Sequence, residues 1–211
     1  MMVRMNVDNA VAMFDYVADK IIANKEYLTK IDSAIGDGDH GIGMAGGMKK
    51  VKEKLVSQEF TDVYSVFAAV GKTMLMSMGG ASGVIFGSMF LAGAKDAEAS
   101  AEIETWQLAA MLRGGLDAVK DRGKAQIGDK TMVDALEPAV AVLEESGCDS
   151  LTDALIKAEA AARMGMEDTV GYVAKFGRAK SLGERAVGHR DAGAVSVWLI
   201  FQGMREFAGR C

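Results

Sequence analysis

Apolar residues recur at the three-to-four spacing of an α-helix along almost the whole chain, and a single proline, Pro138, falls inside the pattern. Val11, Phe14, Ala18, Ile21, Ile22 and Leu28 predict a helix over about 9–29. Val63, Phe67, Val70 and Met74 predict another, with Thr61 as its N-cap. Leu108, Met111, Leu112, Leu116 and Val119 predict a third that begins near Thr105. Ser150 followed by Asp153 has the form of a capping box. The helix behind it carries Ala154, Ala158, Ala161, Ala162 and Gly165 on one side, small enough for a neighbouring helix to come close. Shorter helices are expected at about 42–56, 82–95 and 130–145. The last should start at Asp191, whose carboxylate can cap it, and its nearly all-apolar stretch 195–201 predicts burial on most sides. Pro138 either kinks its helix or marks that helix's true start. The reading is an all-α domain spanning 1–211, with about eight helices and no sheet.

Composition narrows the function classes. Half of the residues are hydrophobic, enough for a sizeable core and too many for a disordered chain. A net charge of −5 argues against a general nucleic-acid binder, which needs a basic surface. No apolar run approaches the ~18 residues of a membrane span. Two cysteines, Cys148 and Cys211, cannot build a disulfide scaffold, and the N-terminus has no cleavable signal pattern, so a cytoplasmic location is expected.

Twenty of the 25 glycines crowd into 36–47, 79–87, 114–128, 165–188 and 193, and glycine is useful where a backbone must turn tightly or approach a ligand. The first cluster holds Asp32, Asp37 and Asp39 near a helix end. Three neighbouring carboxylates repel unless a cation or several donors sit between them, and hard oxygens suit magnesium or calcium. Solvated acids in an ordinary Asp-Gly turn would share the same letters. A calcium loop starting at Asp37 fails, because Ile42 and Met48 stand where glycine and glutamate are needed. Gly41-x-Gly43-x-x-Gly46 spells a dinucleotide fingerprint but follows no strand. Gly71-Lys72-Thr73 resembles the end of a phosphate loop, but Val66 occupies its first glycine position, leaving Lys72 as a helix-face charge.

Three further segments complete a pattern. Gly79-Gly80-Ala81-Ser82-Gly83 leads into a helix, where backbone amides attract anions, although a tight interhelical turn needs the same glycines. Arg122 to Met132 offers backbone and a thioether to a flat ring, with Asp129 as a potential cap for the next helix. Gly177 to Gly193 is a long glycine-bearing loop with Arg178, Arg185, Arg190 and His189, and arginine's planar fork suits phosphate. Together these describe acids for metal, amides and arginine for phosphate, and soft side chains for a base.

At IGDGDHGIGMAGG (35–47), GGASGVIFG (79–87), RGKAQIGDKTMVDALEPA (122–139) and GRAKSLGERAVGHRDAGA (177–194), the sequence resembles the L subunit family of dihydroxyacetone kinase, DhaL or DAK2 domain. The resemblance implies a barrel of eight antiparallel amphipathic helices with a nucleotide pocket at one end. It implies that Asp32, Asp37 and Asp39 hold two Mg2+ ions bridging the nucleotide phosphates. It implies nucleotide contacts at His40, Gly41, Ile42, Gly43, Ala81, Ser82, Gly123, Met132, Arg178, Asp191, Ala192 and Gly193, with Arg178 as a phosphate clamp. Gly43 stands where the family often has a polar residue, and Asp191-Ala192-Gly193 replaces its usual Asp-Pro-Gly turn.

The resemblance further implies a subunit of the phosphoenolpyruvate-dependent kinase. There ADP stays bound as a cofactor. An M subunit of the phosphotransferase system converts it to ATP, which then phosphorylates dihydroxyacetone held on a histidine of the K subunit. No residue of this chain, His40 and His189 included, is then the covalent substrate anchor. Two other readings stay open: an ATP-consuming kinase subunit for a related keto-sugar, and a non-catalytic nucleotide-binding regulatory module. No nucleic-acid or membrane partner is expected, and a homodimer is left open.

Overall fold

The computed structural model describes residues 1–95 and 97–210. Nine α-helices form among them: α1 (Val7–Ala23), α2 (Lys25–Ile35), α3 (His40–Ser57), α4 (Val63–Ser77), α5 (Gly80–Ala94), α6 (Thr105–Gly123), α7 (Val133–Glu145), α8 (Leu151–Asp168) and α9 (Ala192–Ala208). The single long helix expected over 9–29 is two. The Asn24 amide donates to the Lys20 carbonyl at 2.8 Å, and its backbone leaves the helical region there. Such side-chain competition breaks a helix without altering its apolar spacing.

The helices pack in a closed ring. α1 lies against α3, each of α3 to α9 lies against the next, and α9 returns to α1. Eight helices therefore make the barrel, and α2 packs across its end against α3. Most connections between ring helices are short and that from α8 to α9, over 169–191, is long; consecutive helices run antiparallel, and residues of alternate connections meet at one end. Phe14, Phe67 and Phe90 meet edge to face at the centre, with Phe14 centroids 4.7 Å and 5.3 Å from the other two. Contrary to the sheet-free expectation, Met5–Asn6 pairs antiparallel with Glu102–Ile103 at the end away from the acids. Two-residue strands are too short to show an alternating pattern.

Most caps are where their residues suggest, with two corrections. Ser150 Oγ accepts from the Asp153 N–H, and the Asp191 carboxylate accepts from the Ala194 N–H at 2.8 Å. The cap of α4 is Asp62, not Thr61, because the Asp62 carboxylate accepts from Ser65 N–H at 2.9 Å. Asp129 does not cap α7; it accepts from Gln126 N–H and pairs with Lys175. Pro138 lies within α7 and does not start it. It cannot donate to the Asp134 carbonyl, and α8 brings Gly165 directly onto that oxygen. Cys148 is exposed, and Cys211 lies outside the described residues. Among the described residues, no helix is long and apolar enough to cross a membrane.

Candidate metal and phosphate site

The four glycine-bearing connections are alternate ones: α2 to α3, α4 to α5, α6 to α7 and α8 to α9. An up-and-down ring places all four at the same end. They surround a cavity of about 500 Å3, within the range of small-molecule sites. A wider groove of about 880 Å3 between α3 and α4 is lined by Lys50, Lys54 and Lys72 and holds no convergent acids. Lys72 is a helix-face charge there.

Asp32 projects from the last turn of α2, and Asp37 and Asp39 from the turn that follows. One oxygen from each lies within 4.8 Å of the others. Gly38, at φ +78°, makes this turn possible between two acids. The Asp32 carboxylate also accepts from the His40 N–H at 3.2 Å, which orients it from the side of α3. Burial and then the neighbouring Asp37 charge raise the pKa of Asp39. Arg178 opposes this rise only in part, which is the response of carboxylates gathered with too little counter-charge. The donor set is all hard oxygen, which fits a divalent cation such as Mg2+.

Across the cavity, Arg178 Nε lies 2.9 Å from Asp37 Oδ2. The Arg178 side chain is 78% exposed, so this pair contributes at most about 1 kcal/mol and can be exchanged for another anion. Gly79, Gly80, Ala81 and Ser82 form the start of α5, which has no side-chain cap, and all four line the cavity. Uncapped amides at a helix start favour anions. Phe86, Val119, Met132 and Phe176 supply an apolar wall.

The structure brings most of the expected contact residues to this cavity: His40, Ala81, Ser82, Gly123, Met132, Arg178, Asp191, Ala192 and Gly193 all line it. Gly41, Ile42 and Gly43 do not. Gly41 is pressed against the backbone of α2 at Lys25 and Thr29, and Ile42 is exposed on α3. His40 is buried, with Nε2 2.8 Å from Ser196 Oγ, and burial lowers its pKa. The expected loop 177–193 is in part folded, as 3-10 turns over Arg178–Ala186 that kink at Gly183.

Lys130 and Asp134 are buried polar groups that motif reading assigned no role. The Asp134 carboxylate accepts from the Gly128 and Thr131 N–H groups at 2.6 and 2.7 Å and so shapes the α6–α7 connection. The letters of RGKAQIGDKTM hold both residues or border them, but nothing in their spacing marks them as buried. Asp191 is raised to about 7, first by burial and then by Asp134, against the Ala194 N–H that lowers it. Its folded pKa lies above its unfolded one, so the folded state holds the extra proton between about pH 4 and pH 7. Stability therefore falls as pH rises through that window, by up to about 1.4 kcal/mol per unit. Asp191→Asn keeps a capping oxygen and should flatten this fall, leaving the variant more stable than the wild type above pH 7. Thermal unfolding across pH 4–8 measures it, and parallel curves for the two proteins would refute it.

Comparisons with known proteins agree with the helical fold. Residues 34–206 match the family described as DAK2 domain. The chain is 38% identical to a Listeria innocua protein described as PEP-dependent dihydroxyacetone kinase 1, ADP-binding subunit DhaL, over 94% of this chain and 96% of that one. It is 41% identical to the Escherichia coli PEP-dependent dihydroxyacetone kinase, ADP-binding subunit DhaL, over 87% and 89% of the two chains. Among solved structures, the dihydroxyacetone kinase of C. freundii in complex with AMP-PNP and Mg2+ superposes with a TM-score of 0.75 at 25% identity. The match covers 98% of this chain but 35% of that longer polypeptide, so this chain spans about a third of it.

Proposed function

The chain belongs to the DAK2 domain family, and from that premise we propose that it is the ADP-binding subunit of a phosphoenolpyruvate-dependent dihydroxyacetone (glycerone) kinase. The observation that carries this reading is the convergence of Asp32, Asp37 and Asp39 within 4.8 Å, opposite Arg178 and the uncapped start of α5. The three acids would hold magnesium, two ions by the family resemblance, and the metal supplies charge neutralisation between carboxylates and phosphates when bound.

The protein's own groups do the positioning. The amides of Gly80 to Ser82 point positive dipole toward a phosphate tail. Arg178 is held close by Asp37 and is free to exchange that carboxylate for a phosphate oxygen. Met132, Phe86 and Phe176 offer soft and aromatic surface to a base. Residues 1–211 would act as one nucleotide-binding domain. His40, engaged with Ser196 and kept neutral by burial, serves as a wall of the site and not as a nucleophile. The substrate-anchoring histidine is thus left to a K subunit, and phosphoryl supply to an M subunit of the phosphotransferase system, with all three chains in the cytoplasm.

Reconstitution tests this directly. Mixed with a K subunit, a phosphoryl donor and dihydroxyacetone, the chain should support dihydroxyacetone phosphate formation while its ADP stays bound. Turnover that requires free ATP and releases ADP would favour an ATP-consuming kinase instead, and nucleotide binding with no transfer would mark a regulatory module. Arg178→Ala should slow transfer by roughly a hundredfold, the usual cost of losing one preorganised donor to a developing charge. A coupled assay with the K subunit reads this, and unchanged kcat would remove Arg178 from the site.

A further inference from the structure

We infer that Lys130 is a positioning residue, whose buried ammonium fastens both ends of the segment 170–188 and so sets where Arg178 stands over the site. The inference rests on the nucleotide reading above. Lysine is rarely buried without a reason, yet Lys130 is 2% exposed. Its backbone takes the left-handed conformation, at φ +60°, which side-chain-bearing residues seldom adopt. That turn sends its stem inward from the α6–α7 connection.

The two acceptors of Lys130 Nζ are informative. It donates to the Thr169 carbonyl and, at 2.6 Å, to the His189 carbonyl. One acceptor is the last residue before the segment, and the other is the first after it. The same neck is closed by the Gly188 N–H on the Val170 carbonyl at 2.8 Å and by the Asp191 N–H on Thr169 Oγ1 at 3.0 Å. Beside Lys130, Asp129 takes the Lys175 ammonium at 2.7 Å, and its carbonyl takes the Lys175 N–H. The α6–α7 connection thus grips the segment at its two ends and near its start.

The segment's own apolar packing is modest: half-buried Phe176 rests on the barrel core, and Ala179 and Leu182 are only partly buried. Its buried apolar residues form a small cluster apart from the barrel core: Ala174 and Ala186, joined by Ile35 from the end of α2. Two buried alanines with three half-buried neighbours, Phe176, Ala179 and Leu182, bury too little surface to offset the ordering of so long a stretch. Hydrogen bonds from a desolvated ammonium supply what apolar packing does not, because charge-assisted bonds are the strong ones. Ile35 also adjoins Gly36 and the acids. A segment held at its neck and resting on Ile35 can therefore deliver Arg178 to Asp37, or to a phosphate beside it.

A double-mutant cycle tests this, with Mg2+–ADP binding read by titration calorimetry on the full chain. Lys130→Met removes the ammonium and keeps the stem. In the wild-type background it should weaken binding by roughly ten- to a hundredfold, the usual effect of losing a supporting partner. In an Arg178→Ala background it should change binding by less than about twofold, because the positioned group is already gone. Hydrogen exchange across 172–188 should rise while the barrel helices stay protected. If Lys130→Met does not fold, Lys130→Gln, which keeps an N–H donor without charge, enters the same cycle. Equal losses in both backgrounds, or no loss in the first, would overturn the inference alone. A wild type that binds no Mg2+–ADP would overturn the nucleotide reading and this inference with it.

Discussion

Asp39→Asn should abolish Mg2+-dependent nucleotide binding while leaving the metal-free protein at least as stable as the wild type. The two effects have opposite signs and the same origin. Asp39 is raised by burial and by Asp37, so its ionised form is penalised in the folded state. Stability is lost as pH rises through that raised pKa, and an amide removes the loss. The same repulsion is what a divalent cation relieves, so the amide also removes the reason for the cation to bind. At nucleotide a hundredfold above its Kd, the wild type should gain about 2.7 kcal/mol of stability. For a domain of this size that is a rise in Tm of roughly 5–10 °C. The variant should show none of it. Thermal unfolding with and without Mg2+ and ADP reads both halves, and a variant with the full ligand-induced rise would end the acid-triad assignment.

Gly93→Ala should cost the barrel more than any surface change. A Cβ at Gly93 would overlap the Met111 carbonyl, and one at Gly115 would overlap the Met89 carbonyl. α5 and α6 therefore touch backbone to backbone, and an added methyl has no flexible neighbour to displace. Forcing extra volume into such a contact costs about 1–3 kcal/mol, a fall in Tm of roughly 2–12 °C. Both helices wall the cavity, through Ile85 and Phe86 on α5 and Val119 and Gly123 on α6, so nucleotide affinity should fall with stability. Gly46→Ala is the control. Nothing lies within 4 Å of a Cβ there, and alanine in a helix interior should stabilise by about 0.5–1 kcal/mol. Equal behaviour of the two variants would show that the α5–α6 contact is not tight.

Much of this was legible in the residues themselves, for physical reasons that differ from place to place. Ser150 and Asp191 read correctly as caps because capping is a contact over three residues. Asp62 displaced Thr61 because two oxygen-bearing residues stood side by side, and only backbone direction chooses between them. Asp129 missed its expected cap because α7 starts only at Val133, and its carboxylate instead takes the Gln126 N–H and Lys175, which is distant in sequence. Gly41 and Ile42 follow the acids in sequence, yet α3 turns them away from the cavity onto α2 and into solvent. Lys130 looks like any loop lysine until Thr169 and His189 are seen around it.

Local chemistry determined the helices, most of their ends, and the composition of each connection, because spacing, caps and glycine act over a few residues. It also determined that the acid loop and the arginine-bearing segment could serve metal and phosphate. Only the closed ring decided that four distant connections share one end, that three carboxylates lie within 4.8 Å of one another, and that Arg178 faces Asp37. Those outcomes depend on which helix packs beside which, and that is settled by side chains far apart in the chain fitting together in the core.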